Sequence, residues 1–183
     1  MKKYLPIIIL LLITLLGLFI RFYKLGKAPA GLYLDEAGQG YSAYSILKTG
    51  KDEFGKAFPI VFRNFNDFKT PVYIYLVVPL IPIFGLTPFT VRFPSFFFSV
   101  LTFPLIYLLI NELLGNITPK PPLKLRGGRG SYGLLAALLL AISPWHINFS
   151  RAAFETNGSL FFLVLGLFLI IKSVKNPLFF IFG

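Results

Sequence analysis

The chain has no cysteine, one histidine and only seven acidic residues among 183. Without cysteine there is no disulfide, no thiolate metal site and no cysteine nucleophile. The lone histidine, His146, stands beside Trp145 and reads first as an interfacial side chain, a metal role being the lesser reading. The shortage of acid leaves a net charge of +11. On a soluble chain that charge would point to nucleic acid. Most of the Lys and Arg, however, fall between hydrophobic runs, where they fix topology and meet anionic head groups. Membrane lipids are therefore the expected partners, and nucleic acid is not.

Apolar residues are abundant: 56% of the chain is hydrophobic and 17% aromatic, with 22 Phe. Soluble domains do not carry this much apolar surface, and apolar runs of about 18 residues read as spans. Five runs appear: Leu5–Phe22, Pro71–Gly85, Phe93–Ile110, Gly133–Ile147 and Leu160–Ile171. The first follows Lys2 and Lys3 like a signal peptide. Its A-x-A-like Ala28-Pro29-Ala30 lies well beyond the apolar run and contains proline, so an uncleaved anchor is expected. The second run is short, and Pro71, Pro79 and Pro82 interrupt it; each interior proline removes a backbone hydrogen bond. If that run does not cross, Lys2/Lys3, the basic loop over residues 112–132 and Lys172/Lys175 share one side, as the positive-inside bias expects.

The expected architecture is an all-α integral membrane protein. It has about four transmembrane helices and juxtamembrane helices in an outer loop over residues 23–88. The N-terminus and the 112–132 loop are cytoplasmic, and the protein is a multi-pass protein of the cell membrane. The segment Thr118–Ser131, "TPKPPLKLRGGRGS", reads as a solvated linker. The chain ends on "NPLFFIFG", where another apolar run starts, as in the N-terminal part of a longer membrane protein.

The acidic residues are few enough to consider singly. Asp35 and Glu36 are adjacent, just after the first span. Capping explains them in part: Asp35 as N-cap, Glu36 in the first turn, where the helix dipole favours negative charge. Tyr41, Tyr44, Ser45 and Lys48 follow at spacings of three and four, which predicts a surface-lying helix over Glu36–Leu47 with its tyrosines at head-group level. Asp67 and Lys69 precede Pro71 in a pattern that reads as a turn begun by Asp and ended by Pro. Arg151 and Glu155 are four apart and share a helix face, though Arg before Glu is the weaker order. Ionisable groups near a bilayer are costly, and that favours a functional reading.

Four stretches in order, "LYLDEAGQGYSAYSILKTGK", "FKTPVYIYL", "VRFPSFFFSVLTFPLIYLL" and "GLLAALLLAISPWHINFSRAAFE", resemble the N-terminal module of the GT-C glycosyltransferases. These multi-span enzymes include the protein O-mannosyltransferases and the lipid A aminoarabinose transferase. The resemblance covers the whole chain and about the first third of such an enzyme, so the chain as it stands is an expected fragment, inactive alone. It implies inverting transfer of a sugar from a polyprenyl-phosphate donor to a lipid, glycan or protein acceptor on the outer face. It implies Asp35 as catalytic base with Glu36 beside it, Glu155 as a second acid and Lys69 as a donor-phosphate contact. Arg151 and Tyr41 are further expected substrate contacts. No cofactor is assigned, and a divalent cation is left open. The basic insert at Thr118–Ser131 is longer than the family's loop, and Glu155 stands where several relatives have Asp. The rival readings are a transporter or channel, with the carboxylates as ion sites, and a membrane scaffold without activity.

Overall fold

The structure, a computed structural model, describes residues 4–64, 67–117 and 129–173. Lys2, Lys3, Lys175, most of the Thr118–Ser131 insert and the final "NPLFFIFG" lie outside these residues. The described elements are α1 (Leu5–Phe22), α2 (Leu34–Thr49), β1 (Phe62–Asn64), β2 (Asp67–Lys69), α3 (Pro71–Val77), α4 (Ile81–Phe84), α5 (Pro88–Ile117), α6 (Arg129–Ile142), α7 (Pro144–Ser150) and α8 (Thr156–Ser173), with one turn of 3-10 helix at Val78–Leu80.

Among the described residues, three helices are long and apolar enough to cross a membrane: Leu5–Phe22, Pro88–Leu114 and Thr156–Ser173. A fourth candidate is broken, since α6 and α7 meet at a 60° bend. The bend falls at Ser143–Pro144, where proline withholds its N–H from the helix. Only 17% of the α1 window and 11% of the α8 window are buried within the protein. Most of their apolar side chains therefore face outward, which suits lipid and not water. The run Pro71–Phe84 is helical in pieces of 7, 3 and 4 residues. At about 1.5 Å per residue it extends roughly 21 Å, short of the ~30 Å hydrocarbon thickness.

The chain forms two compact units. One takes Met1–Ile20, Phe98–Ile147 and Ser159–Gly183; the other takes Arg21–Phe97 and Asn148–Gly158. The first unit is a helical bundle. Ile13, Phe103, Ala137 and Ala141 form one buried cluster, and Leu105, Leu109 and Val164 another. Small residues let the helices approach. A Cβ at Gly17 would overlap the Phe103 ring, so glycine makes the seat for that ring. His146 is fully buried in this unit, with its ring 5.8 Å from that of Phe103.

The second unit holds α2, the β-hairpin, α3, α4 and the start of α5 around a core of Ala43, Ile46, Phe62, Tyr73, Ile74, Val77, Ile81, Val91 and Ala153. Helix α2 turns Glu36, Gln39, Gly40, Ala43 and Ile46 inward, at the three-and-four spacing of one helix face. Tyr41 and Tyr44 remain exposed.

Several local expectations change. Arg151 and Glu155 do not share a helix face: α7 ends at Ser150 and α8 begins at Thr156, so both lie in the turn between them. The N-cap of α2 is Tyr33 and not Asp35: Glu36, at the third helical position, reaches back to accept the Tyr33 N–H at 2.9 Å. This is the carboxylate half of a capping box. Asp67 does not open a turn but lies in β2, opposite Asn64, in a short antiparallel pair that an all-α reading omits. Pro71 does not end that segment; it opens α3 at a position where its missing N–H costs nothing. The basic loop also shrinks, because α5 runs on to Ile117 and α6 starts at Arg129.

Candidate functional site

Every acidic and basic side chain singled out in the sequence as a site residue falls in the second unit. The two adjacent carboxylates have opposite surroundings. Asp35 points outward, with its side chain 44% exposed, and accepts Lys69 Nζ at 3.3 Å. Glu36 points inward and is fully buried. Consecutive helical positions differ by about 100° round the axis, so one can be buried while the next meets solvent.

Glu36 is bound on both oxygens. Oε1 accepts Arg92 Nε at 2.8 Å and the Ala153 backbone N–H at 2.8 Å. Oε2 accepts Arg92 Nη2 at 3.0 Å and the Tyr33 backbone N–H at 2.9 Å. Burial by itself raises the Glu36 pKa. The hydrogen bonds from Arg92, Tyr33 and Ala153, with the charge of Arg92, outweigh it and hold the carboxyl below its usual range. Glu36 is thus a fixed anion with its acceptor sites filled.

Lys69 is only 13% exposed, and it also touches Asp67 Oδ2 at 2.7 Å. The hydrogen bond to Asp67 is the main reason its pKa rises; partial burial opposes the rise and Asp35 adds to it. Asp67 is lowered in turn by Lys69 and by the Phe68 N–H. The hairpin places this lysine: β2 delivers Lys69 from its last position, and Pro71 then turns the chain into α3.

The remaining predicted residues are not on this pair. Glu155 Oε1 accepts Gln39 Nε2 at 3.5 Å. Arg151 Nη2 donates to the Ala28 carbonyl at 3.3 Å and lines a cavity of about 600 Å³ with Tyr33, Asn148, Phe149 and Phe154. Burial lowers the Arg151 pKa, and the charge of Arg92 adds to the effect. Tyr41 sits six positions beyond Asp35, about 120° round the helix from it, and lines shallow hollows with Glu53 and Asn64 on one side and Leu86 and Val91 on the other. Among the described residues, no three His, Cys, Asp or Glu side chains converge as a metal cluster.

Arg92 and Gln39 were missed from sequence. The signal for Arg92 was present: a guanidinium at the head of an apolar run needs a buried anion, and Glu36 is one of few. The chain matches no protein-family model, no curated protein and no solved structure.

Proposed function

We propose that this chain is a membrane module of a glycosyltransferase, in which Asp35 is the base for an acceptor hydroxyl and Lys69 meets the phosphate of a polyprenyl-phosphate sugar. The observation that carries the reading is the Asp35–Lys69 pair, 34 positions apart in sequence and 3.3 Å apart in space, with the carboxylate open to solvent and the ammonium largely covered. In the step we infer, the acceptor oxygen attacks the anomeric carbon and its proton passes to Asp35. The bond from that carbon to the phosphate oxygen breaks with inversion. The lipid phosphate leaves as an anion, which a cation can neutralise without a general acid. A positioned carboxylate supplies about 10²- to 10⁴-fold in such a step.

The placement of charge favours interfacial chemistry over transport. Asp35, Glu36, Asp52, Glu53, Asp67 and Glu155 lie outside the three candidate spans, and only Glu112, near the end of Pro88–Leu114, lies within one. Transporter sites sit near the bilayer midplane on broken helices.

The test is sugar transfer from a radiolabelled polyprenyl-phosphate donor by a complete enzyme carrying this module, in membranes at matched protein levels. Asp35→Asn keeps shape and hydrogen-bond acceptance but cannot take a proton as a carboxylate. It should cut turnover by at least about 10²-fold while donor binding persists. Near-normal turnover would reject Asp35 as the base. Lys69→Ala should instead raise the donor KM by roughly tenfold, the worth of one charge-assisted hydrogen bond.

A further inference from the structure

We propose that Arg92 is the positioning residue of this site: clamped to Glu36, it fixes the first turn of α2 so that Asp35 is presented to Lys69. The catalytic part of this inference rests on the transferase reading. The positional part does not.

The argument is an accounting of donors and acceptors. A guanidinium carries five N–H bonds, and Arg92 spends all five. Two go to Glu36, as described above. Nη1 donates to the carbonyls of Leu25 and Pro29, each at 3.1 Å, and Nη2 to the carbonyl of Gly31 at 2.6 Å. Glu36 fills its acceptor sites with the two Arg92 bonds and the N–H groups of Tyr33 and Ala153. Both side chains have zero exposure. One buried pair therefore ties four backbone points: the loop after α1, the N-cap of α2, the start of α5 and the turn before α8. A guanidinium and a carboxylate form a flat, two-pronged pair with little angular freedom. With Glu36 held inward, the direction of the neighbouring Asp35 side chain follows.

Both side chains are fully buried and their hydrogen-bonding groups are spent on each other and on the backbone, so the role argued for them is positional. Lysine at position 92 cannot stand in for the fork. It has three donors on a point charge and must leave at least two of the five acceptors unfilled. Glu36→Gln keeps the shape but turns an amide N–H₂ toward groups that are themselves donors.

The experiment uses the full chain in detergent and a zero-length carbodiimide, which joins Lys69 to any carboxylate touching it. Peptide mass spectrometry separates the 35–69 link from the 67–69 link, and the latter serves as an internal control within the hairpin. Arg92→Lys and Glu36→Gln should each lower the 35–69 yield at least fivefold and leave the 67–69 yield within twofold. In a complete enzyme carrying this module, assayed in membranes, the same variants should lower kcat for transfer at least tenfold with the donor KM within twofold, unlike Lys69→Ala. An unchanged 35–69 yield in both variants overturns the proposal. So does parallel loss of both links, which would make Arg92 a support of the whole unit and not of Asp35. A complete enzyme carrying this module that forms the 35–69 link but transfers no sugar would reject the transferase reading and leave the clamp standing.

Discussion

At the scale of single residues, the fully buried Glu36–Arg92 pair is costly to break. Removing one partner of a buried ion pair costs about 3–5 kcal/mol, because the other is left charged and dry. Arg92→Met should lower stability by about that amount, measured as unfolding in detergent. Arg92 also serves three carbonyls, so pairing it with Glu36→Leu should not restore the loss. The pH dependence follows from the direction of the Glu36 shift. Its folded pKa lies below the ordinary 4.5. The ionised carboxylate therefore contributes stability at every pH above about 4.5, and that contribution disappears as pH falls through the folded pKa. The melting midpoint should hold steady from neutrality to about pH 5 and drop below it, with a shallower drop in Glu36→Gln. The sequence made the carboxylates conspicuous, but it could not divide their roles. Which of two neighbours turns inward depends on a cation 56 positions away, and no local pattern encodes that partner.

At the scale of elements, α2 is fitted closely to its surroundings. A Cβ at Gly38 would overlap the Asn64 side chain in β1, and one at Gly40 would stand 2.9 Å from Val91 Cγ2. Gly38→Ala should therefore destabilise by about 1–3 kcal/mol, the usual cost of overpacking, although alanine favours the isolated helix. Thermal unfolding of the variant checks it. Gly50 ends the helix at φ +69°, where its N–H bonds to Ile46 O at 2.9 Å. A side chain there pays the left-handed penalty, so Gly50→Ala should cost about 1 kcal/mol by the same measurement. The helix itself was legible, because Tyr41, Tyr44, Ser45 and Lys48 follow the acidic pair at helical spacing. The hairpin was not: three-residue strands carry too little alternation to read, and their pairing is fixed by tertiary packing of Phe62.

At the scale of the whole molecule, long apolar runs were the clearest message, since a span needs length and composition and little else. The prolines of the second run were legible as breaks, whereas the bend before Pro144 lies inside a run read as continuous, and whether a broken helix crosses depends on its geometry. Lys56 and Thr156 belong to one compact unit, and both are exposed. Cysteines at these two positions should be labelled by an impermeant reagent from the same side of the membrane, and a cysteine at Lys124 from the opposite side. Labelling of 56 and 156 from opposite sides would mean that the segment Pro71–Phe84 crosses.

The buried pair also sets a timetable for synthesis. Glu36 leaves the ribosome first, Arg92 comes 56 positions later and the Ala153 amide 117 positions later. Charge neutralisation can thus occur while α5 is entering the bilayer, so the guanidinium need not wait unpaired in an apolar setting. The last hydrogen bond forms only when the segment before α8 arrives. The clamp on Glu36 therefore closes fully only after Ala153 has been made, long after α2.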